Sequence, residues 1–163
     1  MEKVTTPGQL DKPHRAFPEG FDPLALDNQL CFPLYAASHA IVKSYGPHLA
    51  ELDLTYTQYI AMMVLWEERT VSVGHLGERL RLDSGTLTPL LKKLEAKELV
   101  TRRRSQEDER RLDVTVTEKG MALRERAKGV PECVASCINL TPQEIVEIRR
   151  LLDKIMVSLD ARG

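Results

Sequence analysis

Apolar residues along this 163-residue chain recur at two different periods, and the changes of period mark out its elements. From about Leu26 to His48 the pattern is helical, with Leu30, Leu34, Ile41 and Val42 apolar and Gly46-Pro47 reading as a stop. A second apolar helix begins at Thr55, runs through TYTQYIAMMVLW and ends at Glu67-Glu68. TVSV at 70–73 reads as a short strand, followed by a small helix holding Leu76 and Leu80. Asp83-Ser84 is an N-cap signal for a further helix, whose Leu87, Leu90, Leu91 and Leu94 keep helical spacing. After Glu98 the period falls to two. LVTRRR and RLDVTVT alternate as strands do, with the charged turn SQEDER between them. Helical spacing returns from Glu118 to about Ile138, interrupted by Gly129 and Pro131. Thr141-Pro142-Gln143-Glu144 places Pro at N1 and Glu at N3 of a final amphipathic helix carrying Ile145, Ile148, Leu151, Leu152, Ile155 and Leu159. Residues 1–24, with Pro7, Pro13, Pro18 and Pro23 and little periodicity, read as an extended arm.

Two short helices joined by a tight turn and followed by a charged hairpin describe a winged helix-turn-helix, expected over about residues 55–117. The fold class is therefore mainly α with a small β-wing. An N-terminal arm over 1–25 and a single domain over 26–163 are the expected organisation. With 42% apolar and 29% charged residues the composition is that of a globular protein. No apolar run approaches the roughly 20 residues of a membrane span, and residues 1–20 hold no apolar stretch of the kind a secretory signal needs. Three cysteines are an odd and sparse set, unlike a secreted disulfide framework, so a reducing, cytoplasmic compartment is expected.

Charge adds a local feature. The net charge of −1 excludes a histone-like polycation, yet residues 71–111 carry 10 basic and 7 acidic side chains while residues 1–70 carry 5 and 9. A basic excess confined to the helix-turn-helix and hairpin fits a face aimed at a polyanion. The Asp83-capped helix sets Ser84, Thr86 and Thr88 near its N-terminus, where short polar groups reach base edges or phosphates in a major groove. Lys92 and Lys93 lie further along, placed for the phosphate backbone. Arg110 and Arg111 stand at the hairpin tip, where an arginine can enter a narrow minor groove, and Asp108 is placed to brace one of them. Taken singly, each has an ordinary reading too: capping for the hydroxyls, a solvated face for the lysines, an exposed turn for the arginines. Their order along the chain favours double-stranded DNA.

The stretch DSGTLTPLLKKLEAKELVTRRRSQEDERRLDVTVTEKG resembles the DNA-binding core of the MarR family of bacterial repressors, with D-E-R…V-T-V-T-E-K-G matching its wing and the helix after it. The resemblance covers about residues 26–160 and leaves the arm outside. It implies a homodimer that pairs through its terminal helices, here about 26–48, 118–138 and 142–161, and reads a pseudo-palindromic operator.

Cys31 adds candidate chemistry. A lone cysteine in an apolar helix is ordinarily an inert small hydrophobe. This one falls in the first turn or two of its helix, after Asp27 and Asn28, with Pro33 marking a nearby start. A helix N-terminus favours the anionic, nucleophilic form of a thiol. All four tyrosines, at 35, 45, 56 and 59, follow closely, and phenolic hydroxyls donate hydrogen bonds that stabilise a thiolate.

LDNQLCFPLY, followed by Tyr45 and LTYTQYIAMMVLWE, looks like the organic-hydroperoxide-resistance repressors within the MarR family. That resemblance makes Cys31 the sensing cysteine and Tyr45 and Tyr56 its hydrogen-bonding tyrosines across the dimer. It makes Phe32, Leu34, Tyr35, Met62 and Trp66 walls of a pocket for an organic tail. In the two-cysteine branch a C-terminal cysteine of the other subunit closes a disulfide with the oxidised sensor. VPECVASC offers Cys133 and Cys137 for that role, and their i, i+4 spacing does not choose between them; distance from the preceding Val-Pro leans to Cys137. The implied function is a repressor, not an enzyme, that releases its operator when an organic hydroperoxide oxidises Cys31. Two other functions use the same residues: a repressor induced by a non-covalent phenolic ligand, in which Cys31 is incidental, and a thiol peroxidase, for which the winged helix has no purpose. No metal or cofactor is expected, because His14, His39, His48 and His75 have no ligand-like spacing.

Overall fold

The computed structural model describes residues 20–105 and 111–161. Its elements are α1 (Cys31–Glu51), α2 (Tyr56–Glu68), β1 (Thr70–Ser72), α3 (Val73–Leu80), α4 (Ser84–Ala96), β2 (Val100–Arg104), β3 (Leu112–Val116), α5 (Glu118–Ala127), α6 (Val130–Ser136) and α7 (Pro142–Asp160). Contacts divide the chain at His39 into a small N-terminal unit and a larger one.

In the small unit a single 3-10 turn, Leu26–Asn28, precedes α1. The Asn28 side-chain amide donates to the Asp22 carbonyl at 2.8 Å, and Asp22 Oδ1 accepts from the Leu24 N–H at 2.9 Å. The helix expected from Leu26 therefore starts at Cys31, because these local bonds hold the preceding residues in a turn.

The larger unit is built round α2. Thr55 and Gln58 close a reciprocal capping box at its start. Met62, Ala61 and Leu65 are wholly buried, packed among Leu76, Leu87, Leu91 and Leu94 from α3 and α4 and Val100 and Val114 from the strands. The sheet order is β1-β3-β2, all antiparallel, with Val114 paired to Val71 on one side and to Arg102 on the other. Mostly helical with one small antiparallel sheet, it is a winged helix.

One expectation changes here. Gly46-Pro47 does not stop α1, which continues to Glu51 with Pro47 inside it. A proline within a helix costs about 3 kcal/mol in the lost bond and clash. Continuing buries Leu49 and delivers Leu52 and Leu54 to the core, and each buried leucine returns about 1.5–3 kcal/mol. The interruption expected at Gly129 and Pro131 does divide the helical stretch from Glu118 into two helices, since Pro131 has no N–H to offer the carbonyl of Ala127, the residue at which α5 ends.

One close approach ties the body together. The buried Trp66 indole N–H donates to the Gly120 carbonyl at 2.7 Å. A Cβ on Gly120 would lie 2.2 Å from the Leu99 carbonyl oxygen and 2.7 Å from Val116 Cγ2. By contrast α7 buries no residue completely and exposes Ile145, Ile148, Leu151, Val157 and Leu159. Among the described residues no helix is long and apolar enough to cross a membrane.

Gly120→Ala is expected to cost about 1–3 kcal/mol of stability, because the Leu99 backbone cannot yield without moving the wing. Urea unfolding at fixed protein concentration measures it, and a variant as stable as the wild type would contradict the close approach.

Candidate functional site

The helix-turn-helix consists of α3, a left-handed residue and α4. Ser72 Oγ caps α3 by accepting the His75 N–H at 3.1 Å. Arg81 then turns the chain at φ 52°, and the Leu82 N–H donates to the Gly77 carbonyl at 3.0 Å. Gly77 has no room for a side chain, since a Cβ would lie 2.9 Å from the Leu82 oxygen. Asp83 caps α4 twice over, accepting the Thr86 N–H at 2.9 Å and the Thr86 hydroxyl at 3.0 Å. These bonds hold the Asp83 carboxyl below its ordinary value.

Leu87, Leu90, Leu91 and Leu94 bury one face of α4. Its other face presents Ser84, Thr86, Thr88, Lys92 and Lys93 to solvent together. Two of the hydroxyls are already engaged: Thr86 with Asp83, and Thr88, which donates to the Ser84 carbonyl at 2.8 Å. Each retains oxygen lone pairs for an incoming donor.

The wing carries charge that reading by position missed. Arg111 is exposed beside β3, whereas Asp108 and Arg110 lie outside the described residues. Arg102 on β2 is half-buried, and its Nε donates to Glu95 Oε2 of α4 at 2.9 Å while its backbone N–H donates to Glu95 Oε1 at 3.2 Å. The Arg102 guanidinium holds the Glu95 carboxyl below the usual carboxylate range. The wing base is thus bonded to the helix that carries the lysines. Arg103 and Arg104 are exposed on the same strand. The run RRR was the available signal, but alternation alone does not reveal which arginine turns inward onto Glu95.

The thiols and tyrosines belong to α1, α2 and α6 with its C-cap. Cys31, the first residue of α1, is exposed. Cys133 within α6 and Cys137 at its C-cap are also exposed, and Cys137 Sγ donates to the Cys133 carbonyl at 3.5 Å. Phe32 and Tyr35 are exposed, with the Tyr35 and His39 ring centroids 4.2 Å apart. Tyr45 lies against Tyr56 at 5.1 Å and Tyr59 at 5.8 Å between centroids, and Tyr59 against Trp66 at 6.1 Å. Burial, then the neighbouring Tyr56, raises the Tyr45 phenol, and burial raises that of Tyr59. Tyr59, one of the four tyrosines near Cys31 in sequence but given no role of its own by the resemblance, is the buried centre of this cluster. Met62 and Trp66, expected as pocket walls, are core residues in the single chain, and the Trp66 N–H is committed to Gly120. Among the described residues no cluster of three or more metal-ligating side chains occurs.

Residues 43–126 match the family model described as Transcriptional regulator SarA/Rot. The chain is 42% identical over 143 residues to a Bacillus subtilis protein named Organic hydroperoxide resistance transcriptional regulator, covering 88% of this chain and 97% of that one. This chain belongs to the SarA/Rot group of MarR-type transcriptional regulators. AbfR of Staphylococcus epidermidis shares its fold. The reduced, DNA-bound structure of AbfR superposes with a TM-score of 0.71 at 35% identity, over 83% of this chain and 93% of that one. The disulfide-formed structure gives 0.59 at 37% identity, over 80% and 92%.

A carboxyl lowered in the folded state adds stability that is complete above its unfolded value, here 3.8, and is lost as the pH falls through and below it. Asn caps a helix as well as Asp does but does not titrate. The stability of the wild type relative to Asp83→Asn should therefore decline as the pH falls from about 5 to about 2. Parallel urea curves with a constant difference would remove Asp83 as the titrating cap.

Proposed function

We propose that this regulator binds a pseudo-palindromic operator as a homodimer and releases it when an organic hydroperoxide oxidises Cys31. The observation that carries the reading is an exposed thiol at the first residue of α1 in a chain 42% identical to a regulator named for organic hydroperoxide resistance. Disulfide formation in the related AbfR supports the second half of it.

DNA binding uses the solvent face of α4 in the major groove, with Ser84, Thr86 and Thr88 toward the bases and Lys92 and Lys93 on phosphates. Arg111, with Arg110 and Asp108, serves the wing. The open apolar stripes of α1 and α7 support pairing of two copies, because a helix stripe of this size left in water favours a second surface.

In the sensing step the Cys31 thiolate attacks one oxygen of the hydroperoxide and the O–O bond breaks. The sulfur is oxidised to a sulfenic acid, and the departing alkoxide takes up a proton as the alcohol. Tyr45 and Tyr56 of the dimer hydrogen-bond the thiolate, and Phe32 and Tyr35 supply apolar surface to the organic tail. The thiol of the partner subunit's Cys137 or Cys133 then attacks the oxidised sulfur, forming a disulfide and releasing water. The resulting shift of the terminal helices changes the spacing of the two α4 helices on DNA.

Purified reduced protein should lose operator affinity by at least about tenfold, or about 1.4 kcal/mol, after one equivalent of cumene hydroperoxide, while Cys31→Ser should not. Equal release by both proteins, or by neither, would eliminate the oxidation reading and direct attention to a non-covalent phenolic inducer. Steady peroxide consumption with a thiol reductant would instead indicate a thiol peroxidase.

Non-reducing gels on the same samples should show a dimer-sized band in the wild type that disappears in one of Cys133→Ser and Cys137→Ser and persists in the other. A band surviving both substitutions would mean that neither cysteine resolves Cys31.

A further inference from the structure

The side chain of Arg81 leaves the turn between α3 and α4 and meets the last residue of α7. Its Nη1 donates to Asp160 Oδ1 at 2.9 Å and its Nη2 to Asp160 Oδ2 at 2.8 Å. This two-pronged pairing of a planar guanidinium with a planar carboxylate fixes orientation as well as distance. The other side-chain hydrogen bonds of α7 stay within the helix and its cap: Thr141 with Glu144, Arg150 with Glu147, and Ser158 with the Lys154 carbonyl. With no residue of α7 completely buried, the fork is the polar link between this helix and the DNA-reading elements among the described residues.

The residue choice at each end is odd until the two are seen together. Asp160 puts a negative charge in the last turn of α7, where the helix dipole disfavours it, and that turn holds no basic residue to offset it. Arg81 occupies a left-handed position between the helices, where Gly, Asn or Asp is the easier choice. Local preference argues against both residues, and the pairing between them compensates. Arg81 also stands two residues before Asp83, the cap that sets the start of α4.

We propose that the Arg81–Asp160 fork is a positioning contact for DNA binding, fixing the turn before the recognition helix α4 to the end of α7. It rests on the reading above that the protein binds DNA as a dimer paired through its terminal helices. On that reading the distance between the two α4 helices follows the packing of the α7 helices through Arg81. Neither residue needs to touch DNA.

Charge reversal separates this from plain electrostatics. Asp160→Arg adds positive charge to a DNA-binding protein, so electrostatics alone predicts tighter binding. A broken fork predicts weaker binding. The full-length reduced protein would first be used to select duplexes from a random pool. Wild type, Asp160→Arg, Arg81→Asp and the double reversal would then be titrated against the selected duplex and against versions with the half-sites moved by one or two base pairs. Each single reversal should weaken binding about fivefold or more and flatten the dependence on half-site spacing. The double reversal should recover both. Light scattering should show that every variant remains a dimer, and melting points within about 4 °C of the wild type would exclude unfolding as the cause. Tighter or unchanged binding by Asp160→Arg, or an unaltered spacing profile in both single variants, would overturn the proposal. A wild type that is monomeric or retains no duplex from the pool would overturn the dimeric DNA-binding reading itself, and that result is seen before any variant is compared.

Discussion

The carbonyl of Leu99 and the α-carbon of Gly120 approach so closely that no side chain fits between them, and much of the winged helix is arranged round that approach. Leu99 is the hinge between α4 and β2, and its carbonyl accepts the Thr117 N–H at 3.0 Å. Thr117 in turn donates its hydroxyl to the Glu98 carbonyl at 2.7 Å and caps α5 through the Gly120 N–H. Trp66 closes the ring from α2 by donating to the carbonyl of the same glycine. The ends of α2, α4, β3 and α5 therefore meet at one bonded point, and the tilt of α4 is set there. The Arg102–Glu95 pair repeats the coupling further out, so that α4 and the wing are bonded to each other a second time.

The same packing leaves a deficit elsewhere. The leucines of α3 and α4 and the apolar face of α2 satisfy one another within a single chain, whereas among the described residues the apolar stripe of α7 finds no such partner. A helix of 19 residues is about 28 Å long. Its polar side is furnished with the Arg150–Glu147 pair and its apolar side is left open, the pattern of a helix that awaits another surface. Exposed i, i+3 pairs contribute little by themselves, so the stability of this helix depends on what covers the stripe.

How much of this was legible in the sequence depends on the range of the forces involved. Capping is local, so Thr55, Asp83 and Thr141 announced their helices through residues within one turn. The change of period after Glu98 announced the wing because side-chain alternation is a property of neighbouring residues. Gly46-Pro47 misled for the same reason: the residues that outweigh a proline there are Leu49, Leu52 and Leu54, whose burial depends on the distant core. The α4 hydroxyls were visible as residue types, but the bonds of Thr86 to Asp83 and Thr88 to Ser84 required coordinates. Met62 and Trp66 could not be sorted into wall or core by periodicity, since an apolar helix face serves either purpose. The Arg81–Asp160 fork spans 79 positions and has no local signature at all.

The layout of the chain also bears on how a small chemical event could travel. Cys137 caps α6, and only Ile138, Asn139 and Leu140 separate it from Thr141, the cap of α7. Its own N–H donates to the Val134 carbonyl and its sulfur to that of Cys133, so capturing that sulfur in a new bond disturbs the last turn of α6 directly. From Thr141 onward α7 is unbroken to Asp160, and Asp160 grips the turn that precedes α4. On the proposed mechanism a displacement at Thr141 reaches Asp160 along one unbroken helix. Physical coupling of this kind requires an element with two resting positions, and the proposed pairing of two copies through the α7 stripe would supply one. On the proposed mechanism the open stripe of α7 serves two ends at once: it adheres to the second copy, and it lets the helix shift when Cys31 and a partner thiol join.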